Sequence, residues 1–222
     1  MKIQTTRFGE LQVDSKDVLN FSEGILGFEH LKKFFVVDPG DSTLILWLQS
    51  TSDESVAFPI IEPRIFKPDY IIKLLPNELY SLQLESLDDA RVYCILTIPS
   101  DITKMSANLK APVVINNKNN LSRQIVLQDN KLPVRFEMYK ELKKCIMNYI
   151  SDDSKRSSYD NINKNANISS NNDNIINDNI ESIGEIAKEI ANQTQASLNL
   201  NADVDQDTPH TNNRPNRSLT IN

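Results

Sequence analysis

The sequence predicts a mainly β protein, a small barrel-like β fold followed by a C-terminal helix and a disordered tail. Two patterns and one break carry that expectation. Nine or ten short runs rich in β-branched and aromatic residues follow one another from Lys2 to Leu127, bounded by turn residues. Strands at such intervals, with little helix between them, build small barrels and sandwiches. A helical period starts only after Pro133, where Met138, Leu142, Cys145 and Tyr149 step by four, three and four and give one apolar stripe. The break falls near Ser151. Of the 222 residues, those from 151 onward hold 16 Asn, one aromatic (Tyr159), six Lys or Arg and eleven Asp or Glu. Such a composition buries too little apolar surface to offset the entropy of ordering. The expected organisation is a β-barrel domain over 1–135, an amphipathic helix over 136–150 and an Asn-rich tail over 151–222.

Lys2 to Phe8 reads as a strand that Gly9 bends before Leu11-Gln12-Val13, and Asp17 to Phe21 as a second short strand. The stretch from Phe21 to Glu29 sets two of the chain's five glycines, Gly24 and Gly27, in an apolar frame of Phe21, Ile25, Leu26 and Phe28. That spacing suits positive-φ positions in a packed turn; a structural turn and a partner-contact loop are both open readings. Phe34 to Val37 is a strand closed by the turn Asp38-Pro39-Gly40-Asp41. Thr43 to Gln49 is apolar on both faces, as a central strand is. Val56 to Ile61 follows, with Pro59 arguing for an edge or a bulge. Tyr70 to Leu75 fits strand or helix alike, and Pro76-Asn77-Glu78 opens one helical turn ending near Leu82 or Leu84. Ser86 to Ala90 is a turn, and Arg91 to Ile98 a buried strand stopped by Pro99. Thr103 to Asn108 leads into a hairpin whose strands are Val113-Val114-Ile115 and Ile125-Val126-Leu127, joined by the loop Asn116 to Asn120. In the tail, Ile176, Ile180, Ile183, Ala187 and Ile190 keep a helical period over two heptads. That is too short for a coiled coil and is read as a transient helix or a plain spacer.

Catalysis has little to draw on. The histidines are His30, in a loop, and His210, in the tail, and no metal, redox or phosphate-binding motif is present. Cys94 sits in an apolar run and Cys145 far from it, which fits two free thiols in a reducing cytoplasm. No run of 18 apolar residues and no apolar leader occur, so neither a membrane span nor a secretory signal is expected. Charge is more telling. Asp41 to Asp101 holds ten acidic and four basic residues, whereas Lys104 to Lys144 holds three and nine. If folding keeps those signs apart, the acidic part steers a basic partner and the basic part an acidic one.

Several of these stretches carry a family resemblance. They are Phe21-Ser22-Glu23-Gly24-Ile25-Leu26-Gly27-Phe28-Glu29, Trp47-Leu48-Gln49-Ser50 with Phe58 after it, and Pro68-Asp69-Tyr70. Asn108-Leu109-Lys110-Ala111-Pro112-Val113-Val114-Ile115-Asn116 and Gln124 before Ile125-Val126-Leu127 complete the set. In order and spacing they resemble the FliW family of bacterial flagellar assembly factors, from about residue 1 to 135. The resemblance implies a small β-barrel-like fold and a cytoplasmic, non-enzymatic protein with no cofactor. It implies binding to the translational regulator CsrA, with relief of CsrA's repression of flagellin mRNA, and binding to flagellin. The two partnerships alternate, so secretion of flagellin frees the protein for CsrA. The protein is expected to be a monomer when free, with no membrane and no direct nucleic-acid contact.

The partner-binding residues come from charge and apolar character, not from the family. Asp53, Glu54, Glu62, Glu85, Asp88 and Asp89 form the expected acidic surface for a basic CsrA dimer. Ile25, Leu26 and Phe28 form an expected apolar surface for flagellin, with simple core packing as the competing reading. A different class of function, an RNA-binding face over the basic 104–144 region, is the alternative; its only aromatics are Phe136 and Tyr139, few for a single-strand binder. An enzyme would need a pocket holding His30 beside a carboxylate.

Overall fold

In the computed structural model, which describes residues 1–40 and 44–145, the chain opens with a hairpin. β1 (Lys2–Thr5) and β2 (Gly9–Gln12) pair antiparallel around Gly9, whose φ is +68°. Nine strands follow: β3 (Leu19–Phe21), β4 (Lys33–Val37), β5 (Leu46–Ser50), β6 (Ala57–Ile61), β7 (Ala90–Thr97), β8 (Ser106–Ala107), β9 (Val113–Asn116), β10 (Leu121–Gln124) and β11 (Phe136–Glu137). Their order is β11-β8-β7-β6-β5-β4-β3-β10-β9, and β9 pairs back onto β7, which closes seven of them into a barrel. Every pairing is antiparallel except β10 with β3. The helices are short: α1 (Pro76–Ser81) and, among the described residues, α2 over 139–145.

Strand alternation gives the barrel two apolar faces. Phe21, Phe34, Leu48, Ile60, Val113 and Ile115 turn inward and make one cluster with Ile25 and Leu31 at the barrel mouth. Trp47, Ile61, Cys94, Leu96 and Val114 turn outward, where the inter-strand segments cover them with Phe66, Tyr70, Leu82, Leu109 and Met138. This is why β5 reads as apolar on both faces. Each such fully buried Phe or Leu is worth about 1.5–3 kcal/mol. The N-terminal hairpin adds a third cluster of Ile3, Val13, Val18 and Phe35.

Four details depart from the sequence reading. The second hairpin strand is Leu121–Gln124, not Ile125–Leu127. Asn120 adopts φ +58° and starts the return early, so Ser122 faces Ile115. Ile125 and Leu127 keep the register only through single bonds from their amides to Pro112 O and Lys110 O, 2.9 Å each; Pro112 has no N–H to return. Pro59 lies in an interior strand rather than at an edge. It faces Trp47 of β5, and the ladder to β7 begins only at the next residue, Ile60, since Pro59 has no N–H to give that neighbour. Tyr70 to Leu75 is neither strand nor helix, although Tyr70 and Ile72 are buried under the outer layer. The helix expected over 136–150 opens at 139, because Phe136 and Glu137 are taken up as β11 against Ala107 and Ser106. Its stripe holds where described, with Met138 and Leu142 buried. The expected tail over 151–222, its isoleucine repeat and His210 lie outside the described residues, as does Thr43.

Candidate functional site

The turn after β3 is built by its glycines. Gly24 has φ +77°, and a Cβ there would lie 2.7 Å from both Glu29 Cα and Phe28 O. Gly27 has φ +83° with open space around it. Phe28 N donates to Ile25 O at 2.7 Å, and Gly27 N donates to Glu29 Oε1 at 2.8 Å. Amide hydrogen bonds from Gly27 and Glu29 itself hold the Glu29 carboxyl below its ordinary range. The turn separates its three apolar side chains. Ile25 plugs the barrel mouth at 2% exposure, and Phe28 packs edge-on against Phe58 at 5.0 Å between ring centroids. Leu26 is thrown outward and is 55% exposed.

Gln124 ties this turn to the hairpin. Its Oε1 accepts from Leu26 N at 3.0 Å, and its Nε2 donates to Ala111 O at 3.2 Å. The neighbouring Arg123 pairs with Glu23 at 2.9 Å and donates to Ser81 Oγ at 3.2 Å, reaching the end of α1. Asn108 Oδ1 accepts from Lys110 N and Ala111 N at 3.1 and 2.9 Å, shaping the bend that feeds Pro112. The elements so joined carry exposed apolar side chains at Leu26, Tyr80 and Val126. The spacing of Gln124 after the hairpin loop offered a signal for this; the reach of Arg123 to α1 did not show in the sequence.

The six acidic candidates fall into two places. Asp53 and Glu54 occupy the β5–β6 turn. There Gln49, fully buried, donates from Nε2 to the carbonyls of Ser50, Asp53 and Val56 at 3.1–3.3 Å. Gln49 Oε1 is buried with no hydrogen-bond partner among the described residues. Ser55 donates both hydroxyl and amide to Asp53 Oδ1 at 2.7 and 2.9 Å, and these bonds hold the Asp53 carboxyl below its ordinary range. Thr6 N docks the first hairpin onto Glu54 O at 2.9 Å. The other four lie around the start of β7. Glu62 and Asp88 line a groove of about 410 Å³, and Asp89 pairs with Lys118 at 2.7 Å, a lysine whose field Glu85 shares.

The segregation of charge along the sequence is partly undone by folding. Lys118 to Asp89, Arg123 to Glu23 and Lys104 to Asp101 join the basic stretch to acids. Glu54, Glu62, Glu85 and Asp88 make no ion pair among the described residues. Of the basic stretch's aromatics, Phe136 is packed on Phe66 at 5.9 Å. His30 lies beside Phe28 with 6.4 Å between ring centroids and makes a minor contribution to lowering the Glu29 and Asp53 carboxyls, but the groove is lined by other residues. Among the described residues no group of three or more His, Cys, Asp or Glu is placed to hold a metal ion, and no helix is long and apolar enough to cross a membrane.

Residues 2–138 match the family model described as "FliW protein". The flagellar assembly factor FliW of Bdellovibrio bacteriovorus is 43% identical over 147 residues, covering 66% of this chain and 84% of that protein. That of Thermoanaerobacter pseudethanolicus is 38% identical over 149 residues, covering 67% of this chain and 99% of that protein. A crystal structure of the flagellar assembly factor FliW superposes with a TM-score of 0.60 at 32% identity, covering 63% of this chain and 97% of that one. The matched span takes in the closed barrel, the glycine turn after β3 and the Gln124 tie between turn and hairpin, and the chain accordingly belongs to the FliW family.

Proposed function

We propose that this protein is a cytoplasmic, non-enzymatic flagellar assembly factor that couples flagellin synthesis to flagellin secretion. It binds the translational regulator CsrA, relieving repression of flagellin mRNA, and it binds flagellin, with the two partnerships alternating. The observation that carries the reading is the family match across the whole barrel, relatives of this chain bearing the name flagellar assembly factor. The surface features agree with a protein-docking role. Leu26, 55% exposed, sits at the tip of a turn locked by two positive-φ glycines and Gln124, a rigid apolar anchor for flagellin. Glu54, Glu62, Glu85 and Asp88 make no ion pair among the described residues and are available to steer a basic CsrA dimer, Asp88 accepting only from Ser86 Oγ at 3.0 Å, while Asp53 is held by Ser55 and Asp89 is paired with Lys118. Ile25 and Phe28 support the turn from below.

The test is calorimetric titration of the full-length protein with purified CsrA and purified flagellin, separately and in competition. Each partner is expected to bind and to lower the apparent affinity for the other. Leu26→Asp weakens flagellin binding with an unchanged unfolding midpoint. The triple charge reversal at Glu62, Glu85 and Asp88 slows CsrA association and flattens its salt dependence. Failure of both proteins to bind, with salt-sensitive binding to RNA instead, would move the function to the basic 104–144 region.

A further inference from the structure

β6 stops at Ile61 because Glu62 and Pro63 turn the chain into a 3₁₀ turn, Pro63–Ile65. The seam between β6 and β7 is therefore only two residues long, Ile60 opposite Ile95 and Ile61 opposite Cys94. On its other side β7 is paired with β9 from Ala90 to Tyr93. In an antiparallel ladder, alternate residues address opposite neighbours. Asn117 N donates to Asp89 O, and Asn108 N to Ile95 O, both at 2.9 Å. The odd-numbered residues of β7 thus bond toward β9 and β8, and the even-numbered ones toward β6. Cys94 meets Ile61 there, and Ala90 N–H is used by Leu87 O. Val92 N–H, Val92 C=O and Ala90 C=O have no ladder partner among the described residues. They open on the 410 Å³ groove, whose lining includes Ile71, Glu62 and Asp88. Ile71 is 70% exposed.

We propose that this groove takes an extended segment of a partner protein, which adds to β7 as a strand, sets an apolar side chain against Ile71 and points a basic one at Glu62 and Asp88. The edge itself selects that occupant. One donor and two acceptors at strand spacing are met by an extended backbone, whereas a helix has spent its own backbone groups internally. The two carboxylates admit the basic residue. The lining balances Glu62 and Asp88 against Arg64 and Arg91, yet neither carboxylate is in an ion pair among the described residues, and Arg91 turns instead to the amide oxygen of Asn117 at 2.8 Å.

The inference rests on the proposed function only in using CsrA and flagellin as two of its three probes. The third is the peptide acetyl-Thr-Val-Lys-Val-Thr-Val-amide at millimolar concentration. Amide exchange is read by NMR on the full-length protein. In the free protein the Val92 amide exchanges at least about a hundredfold faster than those of Arg91 and Tyr93, which bond to β9; equal protection of all three overturns the proposal. A saturating protein partner slows Val92 exchange about tenfold or more, and the peptide about twofold or more. Ile71→Glu reduces the slowing, and N-methylation of the peptide's central valine removes it. Slowing by the peptide but by neither protein keeps the strand-addition site and removes the proposed partners from it. No slowing with any of the three probes, or slowing that N-methylation leaves intact, overturns the proposal.

Discussion

Replacing Gly24 with alanine tests how the docking turn is built, because Gly27 supplies an internal control three positions along the same loop. Both glycines hold left-handed φ, +77° and +83°. An L-residue in that region costs about 1–2 kcal/mol. At Gly27 that is the whole effect, since nothing lies within 4 Å of the added carbon. At Gly24 the added Cβ would meet Glu29 Cα and Phe28 O at 2.7 Å and Glu29 O at 2.9 Å. These are backbone atoms that no rotamer change can move, so the turn itself must shift, adding about 1–3 kcal/mol as overpacking does elsewhere. The expected losses are about 2–5 kcal/mol for Gly24→Ala and about 1–2 kcal/mol for Gly27→Ala, against a total of about 5–15 kcal/mol for a typical domain. With a urea slope of about 2 kcal/mol/M, the midpoints fall by about 1–2.5 M and about 0.5–1 M respectively. Tryptophan fluorescence reports both, because Trp47 is buried in the outer cluster. Equal midpoints for the two variants would refute the claim that close backbone approach, and not φ alone, fixes glycine at 24.

Three further outcomes are expected. Asn116→Ala removes donors to Leu82 O at 2.8 Å and Gln83 O at 3.1 Å and an acceptor for Lys118 N at 2.8 Å; thermal unfolding should show a loss of about 2–4 kcal/mol, and a loss under about 0.5 kcal/mol would deny its role in pinning α1 to the hairpin. Burial pushes the Cys94 thiol up to about 12, while Cys145 is half-exposed, so a thiol reagent at pH 8 should label one cysteine in the native protein and two in urea; rapid labelling of both without denaturant contradicts the placement of Cys94. Asp53 has a folded pKa below its ordinary 3.8 because of Ser55. Its contribution is complete above the unfolded value and is lost as pH falls through the folded one. The urea midpoint should be level from pH 7 to about 5 and fall below about 4, and Asp53→Asn should lose part of that acid limb; an unaltered limb removes Asp53 from the account.

The site was legible in pieces. Gly24 and Gly27 marked a turn with positive φ, and the structure shows why, but the fate of its three apolar residues was not readable. Ile25, Leu26 and Phe28 have similar hydropathy, and only the direction of the turn sends Ile25 into the barrel and Leu26 into solvent. The acidic run from Asp53 to Asp89 was visible, whereas its division was not, because Lys118 and Ser55 claim Asp89 and Asp53 through contacts made by the fold. Gln49 lies in an apolar strand, and no local pattern shows that its Nε2, with two N–H donors, is shared among the carbonyls of Ser50, Asp53, Glu54 and Val56, because that depends on chain reversal seven residues on.

By itself the sequence determined the mainly β class, the positions of most strands, the helical turn at Pro76 and the switch to helical period near 138. These follow from local periodicity and turn chemistry, which act over a few residues. Tertiary structure decided the rest. Closure of the barrel through β9 on β7 joins residues 20 to 26 positions apart, and the parallel pairing of β10 with β3 joins residues 101 positions apart. The interior place of Pro59, the capture of Phe136–Glu137 as β11 and the open edge at Val92 each depend on where a neighbouring strand starts or stops. A hydrogen-bond ladder is satisfied between chains distant in sequence, and no local pattern records which of its edges has a partner.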